Sequence, residues 1–161
     1  MTITETRTPW IANLGDVPAM LDYFQGSMYE AVEKIAEKYP DYIAYDFMGR
    51  STTYKKFVEQ INLCARALKA IGIREGDKIT ICMPNCPQTV IMFYAVNLVG
   101  GIANMVHPLS SEKEIEFYLK ESGSICALTL DQFYHKFEAI RQNVESLNNA
   151  VSYTHLTLPT T

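Results

Sequence analysis

The sequence is short of most features that announce a function. Basic residues do not predominate: 14 Lys and Arg stand against 18 Asp and Glu, a net charge of −4. That balance lacks the electrostatic footprint of a nucleic-acid or anionic-membrane binder. Glycine is sparse and aperiodic, which excludes a collagen-like repeat, and an apolar share of 48% excludes a disordered chain. The opening residues, Met1 to Pro9, hold no basic segment followed by an apolar run, so no secretory leader is expected. Four cysteines (Cys64, Cys82, Cys86 and Cys126) each lie in an apolar stretch. They read as reduced thiols of a cytoplasmic protein rather than a disulfide framework. No acidic or basic residue occurs from Ile79 to Ser111, yet the longest uninterrupted apolar piece is Val90 to Val96. A membrane-spanning helix needs about 20 such residues, so a buried strand–helix–strand unit is the better reading, and peripheral contact with a membrane stays open.

Chemical motifs are missing as well. There is no G-x-G-x-x-G, no Walker loop, no H-E-x-x-H and no G-x-S-x-G. Cys82-Met-Pro-Asn-Cys86 has C-x3-C spacing without a second cysteine pair or a histidine cluster, and buried packing explains it better than a metal site. Of the three histidines, His107 is the most interesting because it falls at a predicted strand end. A partly buried ring bonded to a loop carbonyl remains its simplest reading. His135 reads as a surface residue, and Trp10 as an anchor for the lead-in around it. Tyr39, Tyr42 and Tyr45 read as packing at a helix–strand junction. No residue is assigned a catalytic, cofactor-binding or metal-binding role.

What is present is regular alternation. Residues 1–26 form an irregular lead-in. Ser27-Met-Tyr-Glu30 is a capping box opening a helix that Pro40 ends. Tyr42 to Phe47 reads as a strand with a turn at Gly49-Arg50. Thr53 caps a helix whose apolar stripe runs Phe57, Ile61, Cys64, Leu68, Ile71. Strand 78–83, helix 87–99, strand 102–106, a capping box at Ser111-Glu-Lys-Glu114, strand 125–130 and a helix capped by Asp131 follow. That last helix carries Phe133, Phe137, Ile140, Val144 and Leu147 on one face. Strands alternating with helices at this spacing imply an α/β fold with a parallel sheet and flanking helices. Ligands of such sheets bind beyond the carboxyl ends of the strands, here Pro84-Asn85-Cys86, His107-Pro108 and the Leu130-Asp131 corner.

The order of phrases adds a resemblance. Lys38-Tyr-Pro-Asp-Tyr-Ile-Ala is followed by Ser51-Thr-Thr-Tyr-Lys-Lys-Phe and then Ala67-Leu-Lys-Ala-Ile-Gly-Ile-Arg-Glu-Gly-Asp-Lys-Ile. Asn85, Ala95 to Gly101 and Pro108-Leu109 complete the succession. It resembles the start of the acyl-adenylating, AMP-binding enzymes, especially the acyl-CoA synthetases that act on fatty acids, over roughly residues 9–150. The resemblance implies a parent ligase that uses ATP and Mg2+ to join a fatty or related carboxylic acid to AMP, then transfers the acyl group to coenzyme A. It implies that residues 27–150 are an incomplete first part of the large N-terminal domain. The family's phosphate loop, its nucleotide motifs and its lid lysine have no matching residue here, so the 161-residue chain is expected to be inactive and to bind none of these cofactors well. Where relatives often carry Asn before the Pro of Pro108-Leu109, this chain has His107. The alternatives are an adenylating enzyme that loads a carrier protein, an aryl-acid ligase, or a non-catalytic flavodoxin-like binding module.

Residues 151–161, Val-Ser-Tyr-Thr-His-Leu-Thr-Leu-Pro-Thr-Thr, depart from the rest: they hold no acidic or basic side chain, and Val151, Tyr153, Leu156 and Leu158 suit a strand. The run also resembles the translation of a transposon-end sequencing adapter, since the codons GTC TCT TAT ACA CAT CTG ACG CTG CCG ACG encode Val151 to Thr160 in order, and it is expected to be a non-native tail. Re-reading the source gene across codon 150 should show a different continuation; genomic DNA that reproduces the tail and then a stop codon would contradict this.

Overall fold

The computed structural model describes residues 13–18 and 20–153. Trp10, His155 and most of the adapter-like run lie outside the described residues. The described lead-in up to Gly26 contains turns and bends but no strand. Helix α1 (Met28–Lys38) starts at Ser27, whose hydroxyl accepts the Glu30 N–H while the Glu30 carboxylate accepts the Ser27 N–H, the reciprocal cap expected. Strands β1 (Ile43–Phe47) and β2 (Arg50–Thr53) form an antiparallel hairpin. Helices α2 (Tyr54–Ala70), α3 (Pro87–Leu98), α4 (Glu112–Ser122) and α5 (Asp131–Ile140) alternate with strands β3 (Lys78–Cys82), β4 (Ile102–Met105), β5 (Cys126–Leu130) and β6 (Asn149–Tyr153).

The four later strands make one parallel sheet in the order β4-β3-β5-β6. Chirality then assigns the helices to faces. A right-handed crossover from β3 to β4 moves one way along the sheet. The crossover from β4 to β5 passes back over β3, so α4 must lie on the opposite face from α3, with α5 beside it. The core divides accordingly. On one face Ile79, Ile81 and Leu128 pack with Tyr29 of α1, Phe57, Ile61 and Leu68 of α2, and Met92 and Val96 of α3. On the other, Cys82 and Ala127 pack with Ile115 and Leu119 of α4 and Phe137 and Ile140 of α5. Successive residues of β3 and β5 thus point into different cores, and both strands are largely apolar, with Thr80 and Thr129 the buried exceptions, because both faces are roofed. Among the described residues no helix is long and apolar enough to cross a membrane.

Two glycines explain how closely β4 follows α3. Gly100 leaves the helix at φ 76°, and a Cβ there would stand 2.9 Å from Glu75 Cγ. At Gly101 a Cβ would meet Ile79 Cδ1 at 2.9 Å and the Asp77 carbonyl at 3.2 Å, so only the bare backbone fits against β3.

The structure corrects three expectations. Asp131 is the first residue of α5 and not its cap; the N-cap position is Leu130. The hairpin turn is centred on Met48 (φ 52°) and Gly49 (φ 77°), not on Gly49-Arg50. A two-residue turn with both residues left-handed matches the twist of a hairpin and releases Arg50 to begin β2. Polar Arg-Ser-Thr-Thr lacked the apolar alternation that marks a strand, so β2 escaped notice. The last helix also stops at Ile140, and residues 141–143 tighten into a single 3-10 turn. Val144 and Leu147 are still buried, 2% and 5% exposed, but from the irregular segment that leads into β6. Val144 and Leu147 keep the helical spacing of three and four from beyond the helix, so periodicity alone could not place the end. The strand reading of the tail holds for Val151 to Tyr153, which pair with Leu128 to Leu130.

Helix α1 buries Tyr29 and Ala36 and is tied to its neighbours by hydrogen bonds. The Tyr29 N–H, in its first turn, donates to Asn97 Oδ1 of α3 at 2.9 Å; the Tyr29 hydroxyl donates to Glu33 at 2.8 Å and accepts from Asn62 of α2 at 3.0 Å. Burial, then the Glu33 carboxylate, pushes the Tyr29 phenol above its ordinary value. Asn97→Ala leaves an orphaned N–H at this junction and should lower stability by about 1 kcal/mol in urea unfolding; an unchanged midpoint would show that α1 does not depend on this bond.

Candidate functional site at the carboxyl edge of the sheet

In the sheet order seen here the chain reverses direction between β3 and β5, and open α/β sheets bind ligands outside the carboxyl ends at such a point. The segments singled out from the sequence do converge there. Val106, just beyond β4, donates its N–H to the Ile81 carbonyl at 3.0 Å, and the Thr129 hydroxyl of β5 donates to the Cys82 carbonyl at 2.9 Å. Three strand ends are thereby tied within a few residues of Pro84, His107 and Asp131.

Each segment is closed by its own hydrogen bonds. Thr89 in the first turn of α3 donates its hydroxyl to the Pro84 carbonyl at 2.6 Å and lies 3.3 Å from Cys86 Sγ. His107 differs from the simplest reading. Its ring is exposed, and Nδ1 accepts the Leu109 N–H at 3.2 Å instead of the ring donating to a loop carbonyl. An acceptor two residues before the N–H it binds imitates the turn that an Asn side chain makes at this place. The Ser110 N–H donates to the His107 carbonyl at 3.1 Å, which completes the corner.

Sequence reasoning missed the residue that fastens this corner. Lys136 of α5 donates to the carbonyls of Pro108 (3.0 Å) and Ser110 (2.7 Å) while its ammonium sits 5.8 Å from the Phe133 ring. A lysine on a helix otherwise read for its apolar stripe gives no local signal of such a long-range contact. Cys82 Sγ lies under the same corner, donating weakly to the His107 carbonyl at 3.8 Å. Burial pushes its thiol up to about 11, with Lys136 acting the other way. A buried thiol held protonated is packing, not a nucleophile. Cys86 is buried as well. Among the described residues no group of three or more His, Cys, Asp or Glu side chains could hold a metal ion. His135 is exposed, as expected. Tyr45 joins an edge-to-face chain with Phe57 and Tyr94, while Tyr39 and Tyr42 stack on each other at 4.9 Å.

A second feature adjoins this edge. A groove of about 570 Å3 runs between α2 and α3, starting beside Pro87 and Gln88 directly after the Asn85-Cys86 loop. Its floor is Leu128 of β5 and Val151 of β6. Gln88 is 5% exposed, and its Oε1 meets no donor among the described residues.

A sequence profile described as AMP-binding enzyme matches residues 32–159. The chain belongs to the AMP-binding enzyme family. Curated relatives in that family include a long-chain-fatty-acid–CoA ligase of Bacillus subtilis, 30% identical over 151 residues, which are 93% of this chain and 27% of the relative. Another, from Yersinia pestis, is 32% identical over 127 residues, 78% of this chain and 23% of the relative. The chain therefore spans about a quarter of the length of these relatives. Among solved structures, the N-terminal domain of FACL13 from Mycobacterium tuberculosis superposes with a TM-score of 0.76 at 23% identity, covering 80% of this chain and 34% of that one. A long-chain-fatty-acid-CoA ligase from Archaeoglobus fulgidus gives a TM-score of 0.76 at 19% identity, covering 83% and 28%. These likenesses show the fold of the AMP-binding family: a parallel sheet flanked by helices.

Two outcomes are expected. Lys136→Met should release the 108–110 corner, costing roughly 1 kcal/mol and speeding amide exchange at Leu109 and Ser110, whereas His107→Asn, which keeps the acceptor, should leave both unchanged. Burial raises the Cys64, Cys82 and Cys126 thiols from 9.0 to about 11. Unfolded thiols shed protons above pH 9 while the folded ones keep them, so this contribution is intact below pH 9 and lost between 9 and 11. Urea midpoints should fall across that window, less steeply in Cys64→Ala/Cys126→Ala; equal slopes in the variant and the parent chain would contradict burial of these thiols.

Proposed function

We propose that this chain is the opening part of a cytoplasmic ligase that activates a fatty or related carboxylic acid. In that reaction the acid attacks the α-phosphate of ATP, giving an acyl-adenylate and pyrophosphate, and coenzyme A then displaces AMP to form the thioester. The observation that carries the reading is the family match from residue 32 to residue 159. The long-chain-fatty-acid–CoA ligases among the relatives support the acid class.

The described residues do not by themselves fit ATP, Mg2+ or coenzyme A. Triphosphate binding needs backbone amides and a lysine aimed at the phosphates, with oxygen ligands for the metal. At the carboxyl edge Lys136 is committed to two carbonyls and His107 to its own turn. No step of the reaction is therefore assigned to a residue of this chain. Its contribution is architectural: β3, β4 and β5 set three loops side by side at the edge where such sheets receive ligands.

The test is acid-dependent release of pyrophosphate and AMP by the protein encoded when the source gene is read on past codon 150. With ATP, Mg2+ and coenzyme A it should turn over long-chain fatty acids, and the 161-residue chain should not. Preference for aryl acids, or transfer to a carrier protein without coenzyme A, would replace the fatty-acid reading. Acid-dependent AMP formation by the 161-residue chain would overturn the architectural role.

A further inference from the structure

The hydrogen bond that His107 makes depends on where its proton sits. Ring Nδ1 accepts the Leu109 N–H at 3.2 Å. Accepting there requires a neutral ring with its proton on Nε2, because a protonated imidazole donates from both nitrogens and keeps no acceptor. An Asn side chain would close the same turn with an amide oxygen that does not titrate. Histidine changes charge between about pH 5 and 8. The ring is exposed, so a proton reaches it directly from water. The Leu109 bond is therefore intact where the ring is neutral and is lost as pH falls.

The surroundings of the corner push the same way. Lys136 of α5 donates to the carbonyls of Pro108 at 3.0 Å and Ser110 at 2.7 Å, on either side of Leu109. The corner thus already holds one ammonium, and a second positive charge on its first residue opposes that clamp. The other charged or titratable groups around it come from three elements. At the end of β3, Cys82 donates to the His107 carbonyl at 3.8 Å, and burial pushes its thiol up to about 11. In the first turn of α4 stand Glu112 and Glu114. The Ser111 N–H, then the Ser111 hydroxyl, hold the Glu114 carboxyl below its ordinary value. Helix α5 brings Asp131 and His135 besides Lys136. His135 is exposed and is the same residue type as His107, which makes it the control. What the corner presents is Leu109, 73% exposed, at the edge where sheets of this kind receive ligands.

We propose that His107 is a positioning residue: its neutral ring holds Leu109 and the 107–110 corner in place at the carboxyl edge, and protonation releases them. The consequence for catalysis rests on the reading of the chain as the opening of a ligase; the proton dependence of the corner does not.

The experiment measures hydrogen exchange of the Leu109 and Ser110 amides in the 161-residue chain, each rate divided by that of an unstructured chain at the same pH. Protection of Leu109 should fall about fivefold from pH 8 to pH 5, the size of one lost hydrogen bond. It should stay level in His107→Asn and fall as before in His135→Asn, with circular dichroism showing that both variants are folded. If the shorter chain does not stay in solution, exchange of a peptide covering residues 107–111 in the protein encoded past codon 150 decides instead. Level protection in the unsubstituted chain, or an equal fall in His107→Asn, would overturn the proposal. A fall abolished by His135→Asn and kept in His107→Asn would assign the proton to α5 and overturn it too. In the longer protein, acid-dependent AMP formation supplies the second readout. The ratio of kcat/KM at pH 8 to that at pH 6, taken for oleate and for coenzyme A in turn, should be about threefold smaller in His107→Asn for at least one of them. Equal ratios beside a titrating Leu109 amide would overturn the positioning role while the ligase reading stands. A longer protein that forms no AMP would remove the ligase reading, and the exchange result would still decide whether the neutral ring holds the corner.

Discussion

Strand β3 imposes the constraint on which the other elements depend. It pairs with β4 on one edge and β5 on the other, and its side chains alternate between two cores. A strand in that position must be largely apolar, must be covered twice and must be joined to its neighbours by long crossovers. The uncharged stretch that begins at Ile79, the helices on both faces and the glycine pair that drops β4 against β3 follow from it. Its buried Thr80 meets the same demand with polar chemistry: the hydroxyl donates to Ser124 at 2.8 Å and accepts from Asn104 at 3.0 Å, linking β4 to the entry of β5 inside the fold. Buried hydroxyls matched in this way fix register without costing an orphaned group.

The same arrangement explains why three loops converge at the carboxyl edge. Parallel strands deliver their ends to one side, so the Pro84, His107 and Asp131 segments meet whether or not they react. Their polar groups are turned inward to hold the loops: Thr89 on Pro84, His107 on Leu109, Lys136 on Pro108 and Ser110. These are the bonds of a scaffold, and they suit a family in which the same fold serves ligases of different acids.

Much of this was legible where local rules and tertiary structure agree. Both capping boxes formed as written, Pro87 took the first position of α3, and the apolar runs became the central strands. Local signals failed where a contact spans the chain or a pattern has two readings. Strand β2 is polar because its hairpin lies outside the sheet. The end of α5 was hidden because Val144 and Leu147 keep helical spacing although they lie beyond the helix. Lys136 and Gln88 were invisible because neither a long-range clamp nor an unmet acceptor leaves a mark in sequence spacing. His107 was located correctly at a strand end but given the wrong partner, since a ring nitrogen accepting from its own turn is a matter of geometry. The family, by contrast, came from the order of several modest phrases, each too weak alone.

The central claim is that one strand pair, β3 and β5, organises the molecule while β6 and the outer face of α2 are left incompletely covered. Native-state hydrogen exchange on the 161-residue chain measures this residue by residue. The account predicts that amides of Ile79 to Cys82 and Ala127 to Leu130 exchange slowest, at the rate of global unfolding, and that those of β6 exchange through much cheaper local opening. Protection of β6 equal to that of β3 would contradict it, because the sheet would then be closed at the edge where the structure leaves it open.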